Sequence, residues 1–249
     1  MLSIPRLGFA LIAAMFMTFS AAMAEDGLNT SQKKEVEALV QEYILKNPEI
    51  LMRAIQEYQI RQRAAERERA KENLAKLKAD FQQSPLSPVI GNPDGDVTIV
   101  EFFDYRCGYG KKVFPAIQAL LKEDGNIRYM LKEYPILGPD SLVATQASLA
   151  VWNTQPEKYL DFHSALMNVR GQLSREKIFV VAHKLGLDVQ TLVKAMEDIK
   201  VTGEINKNGE LAESVGITGT PAFIIGNRLV PGAVSKQELE KLVSAARNG

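Results

Sequence analysis

The chain has 249 residues, of which 46% are hydrophobic and 24% are charged, and its thirty basic side chains balance thirty acidic ones. This composition is typical of a globular protein with a sizeable core, and it excludes disordered and fibrous chains. Because the formal net charge is zero, the chain lacks the basic excess that a phosphate backbone attracts, and we expect no nucleic acid partner.

The first 24 residues have the pattern of a signal peptide. Arg6 supplies a weak positive start, residues 7–23 are apolar and uncharged, and Ala22-Met23-Ala24 matches a small-x-small cleavage site. The alternative is an uncleaved membrane anchor, for which the run is short. We therefore expect a mature protein that is located outside the cytoplasm.

Residues 25–83 are predicted to form a helical N-terminal segment. A helix begins near Ser31, whose side chain can cap it, and Asn47-Pro48 interrupts it. Apolar residues at helical spacing flank this break, whereas residues 61–72 are almost all charged or alanine. The apolar positions are Val36, Leu39, Val40, Tyr43, Ile44, Leu51, Ala54, Ile55 and Tyr58. We predict a homodimer or homotrimer formed through residues 31–81, and a solvated connector is the alternative.

Residues 84–249 carry the pattern of an α/β domain. Turn residues come first, and the apolar, β-branched and aromatic run that follows predicts a buried central strand. A strand-helix-strand half is separated from a strand-strand-helix half by a helical block. The predicted strands are 97–103, 127–133, 222–225 and 228–230; the helices are 111–123, a block over about 139–215, and 235–246.

The single cysteine, Cys107, lies between the first predicted strand and the helix that follows it. Outside the cytoplasm cysteines usually pair, so a lone cysteine is either buried and inert or a reactive thiol. At the start of a helix, free backbone amides and the helix dipole favour the thiolate.

The segment Phe102-Phe103-Asp104-Tyr105-Arg106-Cys107-Gly108-Tyr109-Gly110-Lys111-Lys112 resembles the active-site segment of the DsbA family of thiol-disulfide oxidoreductases. Gly219-Thr220-Pro221 resembles the cis-proline loop of these proteins, and Glu101 stands where the family often carries a buried acid. The helical block is similar to the DsbA-type insertion. The N-terminal extension resembles that of the oligomeric branch, which includes ScsC-like proteins and the Com outer-membrane antigens.

This resemblance implies a thioredoxin fold with an inserted helical domain, preceded by a helical extension. It implies that Cys107 is the nucleophile and Glu101 a buried acid. The alternative for Glu101 is a structural carboxylate paired with Lys132 or a similar base. Thr220, Pro221 and Tyr109 are expected to bind substrate. The implied substrates are unfolded or misoxidised exported proteins in the periplasm, served by a redox partner in the membrane; outer-membrane association is an alternative location.

No cofactor is implied, and no metal site is expected. The two histidines, His163 and His183, have no cysteine or acidic cluster at ligand spacing. We therefore interpret them as core or surface residues of predicted helices.

The chain departs from the family at position 110, where the second active-site cysteine is replaced by Gly110. One cysteine cannot form an intramolecular disulfide, so oxidase activity is excluded, whereas isomerase-like or reductive exchange needs only one sulfur. The alternative is a non-catalytic, chaperone-like or surface-exposed peptide-binding protein that has lost redox cycling. Gly110 fits a natural monothiol variant, an engineered trap or a decayed enzyme.

Overall fold

The structure is a computed structural model that describes residues 28–248. The signal peptide predicted for residues 1–24 lies outside this range. The chain divides into two compact units, one up to Tyr58 and the other from Gln59 onwards. None of the described helices is both long and apolar enough to cross a membrane.

Two helices begin the described chain, α1 (Thr30–Lys46) and α2 (Pro48–Lys76). The break between them is the one that the Asn47-Pro48 pair predicts. The N-cap of α1 is Asn29 and not Ser31. The Asn29 side chain accepts hydrogen bonds from the backbone N–H groups of Ser31 and Gln32, and the Gln32 side chain accepts one from the Asn29 N–H. This reciprocal capping box satisfies amides that have no partner within the helix.

A five-stranded sheet forms the centre of the larger unit, in the order β1-β3-β2-β4-β5. The central strand β2 pairs in parallel with β3 and antiparallel with β4, while β1 and β5 pair antiparallel at the edges. The strands are β1 (Val89–Gly91), β2 (Val97–Phe103), β3 (Ile127–Glu133), β4 (Ala222–Ile225) and β5 (Arg228–Pro231). The sequence predicts only turns where β1 lies; this short strand forms because its backbone pairs with the open edge of β3.

Helices surround this sheet. The helix α4 connects β2 to the parallel strand β3, and five helices and a short 3-10 turn separate β3 from β4. The helices are α3 (Lys78–Gln82), α4 (Gly108–Asp124), α5 (Pro139–Thr154), α6 (Tyr159–Asn168), α7 (Arg175–Lys184), α8 (Val189–Met196), α9 (Ile199–Ser214) and α10 (Lys236–Asn248). The predicted α/β fold class, a thioredoxin fold with a helical insertion and an N-terminal helical extension, is confirmed.

Alternate residues of β2 enter two separate apolar clusters. Ile99 and Phe103 belong to the cluster that contains α4, α10 and the first inserted helices. Val100 and Phe102 belong to the cluster on the other face, which contains α9. Because β2 is buried on both faces, its sequence is a nearly continuous apolar run.

The end of the N-terminal segment packs into the larger unit. Leu74 in α2 and Phe81 in α3 are 6% and 1% exposed and belong to the same cluster as Phe102. The ring of Phe81 meets that of Phe102 edge-on, with centroids 6.2 Å apart. The division after Tyr58 therefore comes earlier in the chain than the boundary predicted between residues 83 and 84.

A buried charged group connects the segment before β1 to α9. The Glu204 carboxylate accepts hydrogen bonds from the hydroxyls of Ser84 and Ser87, and it pairs with the Lys132 ammonium at 3.4 Å. Lys132 is fully buried. A buried ion pair tolerates the loss of one partner poorly, because the remaining charge is left uncompensated.

Candidate active site

Cys107 is held at the start of α4 by the turn that follows β2. Its backbone N–H bonds to the Asp104 carbonyl at 2.9 Å, and it occupies the N-cap position, where its Sγ accepts the N–H of Gly110 at 3.5 Å. The sulfur thus takes the place that a capping oxygen usually takes. The predicted position of the thiol at a helix N-terminus is the one found.

The Asp104 carboxylate organises this turn. It accepts hydrogen bonds from the backbone N–H groups of Arg106 (2.7 Å) and Leu137 (3.0 Å) and from the hydroxyl of Ser141 (2.8 Å). This role is not among those predicted from the sequence. An aspartate that bonds to the N–H two residues later is the signature of an Asx turn, and Asp104-Tyr105-Arg106 is the segment in which it could have been recognised.

The Thr220-Pro221 loop lies against the thiol. The peptide bond between these two residues is cis, and the Cys107 thiol donates to the Thr220 carbonyl with a sulfur–oxygen distance of 3.0 Å. The pairing of Phe102 with Ala222 brings the start of β4 to the end of β2. The predicted nucleophile and the predicted substrate-binding loop therefore meet.

Cys107 and Tyr109 differ sharply in exposure. Cys107 is 6% exposed, so only a small part of the residue can meet a partner, whereas Tyr109 in the first turn of α4 is 66% exposed. The Lys112 ammonium lies 5.5 Å from the centre of the Tyr109 ring. Tyr109 thus offers an aromatic surface two residues beyond the thiol.

Gly110 keeps the backbone geometry of a two-cysteine site. A Cβ atom built at this position would lie 3.7 Å from the Cβ of Cys107 and 3.9 Å from the Cε of Met167, both ordinary contact distances. Disulfide-bonded residues have Cβ atoms about 3.5–4.5 Å apart. The site therefore has room for the second cysteine, although the chain contains none.

Glu101 is a buried acid on the face of β2 that carries Ile99 and Phe103. It is 2% exposed, its Oε2 accepts the hydroxyl of Tyr129 at 2.7 Å, and its Oε1 has no hydrogen-bond partner within residues 28–248. Burial raises the pKa of Glu101 to about 7, and the Tyr129 hydrogen bond opposes this shift. No hydrogen bond in the described part of the chain joins Glu101 to Cys107.

The alternative pairing of Glu101 with Lys132 is wrong. Lys132 stands beside Phe102 in the register of β2 and β3, so it lies on the opposite face of the sheet from Glu101. Its ammonium bonds to Glu204 instead.

A second buried polar group lies next to the active-site turn. The Tyr105 hydroxyl bonds to Ser148 Oγ at 2.6 Å and to His163 Nδ1 at 2.8 Å, and the His163 ring stacks on Tyr159. Burial lowers the pKa of His163 to about 3 and raises that of the nearby Glu133 carboxyl to about 8. His163 is thus a neutral core residue. The described residues contain no group of three or more side chains suited to hold a metal ion.

We predict that Glu101→Gln weakens the pH dependence of stability. The pKa of this carboxyl rises from 4.5 to about 7 on folding, so between these values the folded state holds a proton that the unfolded chain releases. Stability therefore falls as pH rises through this window, by about 3 kcal/mol for this group. Chemical denaturation at about pH 5 and about pH 8 should show a drop that is smaller in the variant by most of that amount.

Glu157→Gln is the control for this experiment, because Glu157 is an exposed carboxylate on the short 3-10 turn before α6. It should keep the pH dependence of the unaltered protein, including the part due to Glu133. The same pH dependence in Glu101→Gln and in the unaltered protein would contradict the prediction.

Comparison with known proteins matches most of the chain to two family models. Residues 98–244 match the DSBA-like thioredoxin domain. Residues 32–65 match the N-terminal domain of the copper resistance protein ScsC. The first match includes β2, the active-site turn and the cis-proline loop.

Solved structures and a sequence relative agree with these matches. A thioredoxin-like oxidoreductase from Silicibacter pomeroyi DSS-3 is 40% identical, with a TM-score of 0.67 over 69% of this chain and 98% of that one. Proteus mirabilis ScsC in a transitional conformation is 32% identical, with a TM-score of 0.68 over 89% of this chain and 99% of that one. Disulfide bond formation protein D of Bacillus subtilis (strain 168) is 24% identical over 174 residues, 65% of this chain and 78% of that protein.

The chain also matches Na(+)/H(+) antiporters such as NhaA 1 of Salinispora arenicola (strain CNS-205), of which it spans only 26%. The family matches and the ScsC structure together cover both the helical extension and the larger unit. The chain therefore belongs to the DSBA-like thioredoxin family of thiol-disulfide oxidoreductases, in the branch that carries the ScsC N-terminal domain.

Proposed function

We propose that this chain is a periplasmic thiol-disulfide exchange protein that acts on unfolded or misoxidised exported proteins through Cys107 alone. One observation carries the proposal: the only cysteine of the chain caps α4 and lies 3.0 Å from the Thr220 carbonyl, next to the cis bond of Pro221. The arrangement brings a sulfur at the positive end of a helix to a stretch of backbone that a substrate can approach.

The exchange is redox-neutral unless an external thiol takes part. The Cys107 thiolate attacks one sulfur of a substrate disulfide, and the other sulfur leaves as a thiolate. A second substrate thiol then attacks the mixed disulfide, forms a new substrate disulfide and frees Cys107. This sequence is isomerisation, and with an external thiol in the last step it becomes reduction.

The Thr220 backbone and Tyr109 are the proposed substrate contacts. An extended substrate segment can pair with exposed backbone as an added strand. The hydrogen bonds are then made by the main chain, so they depend little on the substrate's sequence. Tyr109, two residues from the thiol and largely exposed, adds an aromatic surface of the kind enriched where proteins bind one another. Glu101 is proposed as a buried acid of the fold.

The second candidate function is peptide binding without catalysis. Gly110 in place of the second cysteine and the 6% exposure of Cys107 favour it. Both functions require peptide binding, so binding does not distinguish them. The reactivity of Cys107 does.

We predict that the protein accelerates the refolding of a substrate with scrambled disulfides in a glutathione buffer, and that Cys107→Ser removes this effect. The reason is that the exchange needs one nucleophilic sulfur. Recovery of substrate activity over time measures it. If both proteins assist equally, or neither exceeds the buffer alone, the second candidate function replaces the first.

We predict that Gly110→Cys forms a disulfide with Cys107 and gains dithiol oxidase activity on reduced substrate proteins. The Cβ separation of 3.7 Å already suits this bond. Thiol titration and mass measurement report the bond, and oxidation of a reduced substrate reports the activity. Gly110→Ser is the control for added side-chain volume, and it should show neither the disulfide nor the oxidase activity. Two free thiols in Gly110→Cys under oxidising conditions would contradict the prediction.

We also propose that the protein is a homodimer or homotrimer assembled through the N-terminal helices. No residue of α1 is buried. Four large apolar side chains of α1 and α2 are each at least half exposed: Leu39, Tyr43, Leu51 and Tyr58. Exposed apolar patches of this kind are more often interaction sites than surface that stays in contact with water. The match of residues 32–65 to the ScsC N-terminal domain supports the proposal, because it includes all four of these residues.

We predict that Leu39→Asp lowers the mass measured by light scattering to that of a monomer, because a carboxylate would be buried in the interface. Ala38→Asp adds the same charge one residue away, off the apolar stripe, and should leave the mass unchanged. A monomeric mass for the unaltered protein, or the same effect from both variants, would refute the oligomer.

Periplasmic location is proposed from the signal-peptide pattern and the family, with outer-membrane association as the alternative. A redox partner in the membrane would return Cys107 to its thiol form. Fractionation of cells that express the full chain measures the location, since the soluble periplasmic and outer-membrane fractions separate.

A further inference from the structure

A basic groove begins at the residues on either side of Cys107. Arg106 and Gly108 form one side, and the segment from Met167 to Leu173, which includes the last residues of α6 and the loop after it, forms the other. Its volume is about 770 Å³, within the range of pockets that hold small molecules. The groove is thus lined by both chain neighbours of Cys107 and does not include Thr220 or Pro221.

The charge of this groove is positive. Arg106, Lys111 and Arg170 line it, and no acidic residue does. The Lys111 ammonium donates to the Val169 carbonyl at 2.6 Å, and burial lowers the pKa of this ammonium. Arg106 and Arg170 add two guanidinium groups, each with several N–H donors. Arg170 is exposed and pairs with no carboxylate within residues 28–248, so it is available to an anionic ligand.

Gly110 connects the groove to the sulfur. A side chain at position 110 would contact both Cys107 and Met167, at 3.7 and 3.9 Å. Met167 lines the groove. With glycine there, no side chain of residue 110 stands between Cys107 and Met167.

We propose that this groove binds a small thiol carrying free carboxylates, of the glutathione class, and delivers its sulfur to mixed disulfides on Cys107. The proposal rests on the exchange function given above, and it names the external thiol that turns this exchange from isomerisation into reduction. Arginine guanidinium groups suit carboxylates because they offer paired N–H donors and a charge that does not titrate.

Two exchange steps with the small thiol return Cys107 to its thiolate. The small thiolate attacks the Cys107 sulfur, the client thiolate leaves, and Cys107 now carries the small thiol as a mixed disulfide. A second small thiolate attacks that small thiol's sulfur, forms its symmetrical disulfide and frees the Cys107 thiolate. Two small thiols are oxidised, and the client disulfide is reduced to two thiols.

The test uses the full chain with Cys107 converted to its neutral 2-thiopyridyl mixed disulfide. Glutathione and glutathione diethyl ester are then compared, because the ester keeps the thiol and lacks the carboxylates. Release of thiopyridone, followed by its absorbance, measures the attack on the Cys107 sulfur. We expect glutathione to react faster than the ester, and added salt to reduce the difference.

Arg170→Ala should lower the glutathione rate by about three- to tenfold and leave the ester rate unchanged. Lys184→Ala removes one exposed positive charge that does not line the groove and should change neither rate. Equal rates for glutathione and the ester in the unaltered protein, or equal effects of the two variants, would overturn the groove as a binding site. If the groove is overturned but refolding activity still depends on Cys107, the proposed exchange function stands. If the Cys107 mixed disulfide reacts with neither glutathione nor its ester, both the groove and the exchange function are overturned.

Discussion

The antiparallel pairing of β2 with β4 is the constraint on which the site depends. Phe102 lies opposite Ala222, so the loop before β4 reaches the same end of the sheet as the turn after β2. The sulfur of Cys107 and the carbonyl of Thr220 are brought to 3.0 Å, although 113 positions separate them in the chain. The parallel partner β3 fixes the other side of β2, and the central strand has no freedom to shift its register without moving both.

The sequence was sufficient for features that one element alone determines. A strand buried on both faces must be apolar almost throughout, and this made β2 recognisable. The alternation along β2 also places Glu101 on the face opposite Val100 and Phe102. Likewise, a proline cannot donate its amide and restricts the residue before it, so Asn47-Pro48 predicted where α1 ends.

Features that depend on distant residues could not be read from local patterns. The edge strand β1 exists only because β3 offers it an unpaired backbone edge. Phe81 looks like one more residue of a helical stripe until Phe102 is brought against it. The partner of Lys132 is decided by the register of β2 and β3 and by the position of α9, which no spacing in the sequence reveals. The resemblance supplied Thr220 and Pro221, whereas the position of Met167, next to any side chain placed at residue 110, required three dimensions.

Two raised carboxyl pKa values set the protonation of the core near neutral pH. Glu101 and Glu133 titrate at about 7 and about 8 because neither has a cation or enough hydrogen bonds to offset its burial. Both lie on strands that run toward the active-site end of the sheet. Their neutral forms favour the folded state, so a mildly acidic solution strengthens the scaffold beneath the cysteine.

The glycine at position 110 also determines how long Cys107 stays joined to whatever it captures. In a two-cysteine site the neighbouring sulfur ends each covalent complex at a rate built into the chain. Here, unless a second thiol of the client ends the complex, its lifetime depends on how much free thiol the surrounding solution supplies. Where that supply is plentiful the adduct turns over quickly, and where it is scarce the same protein becomes a covalent holder of its partner.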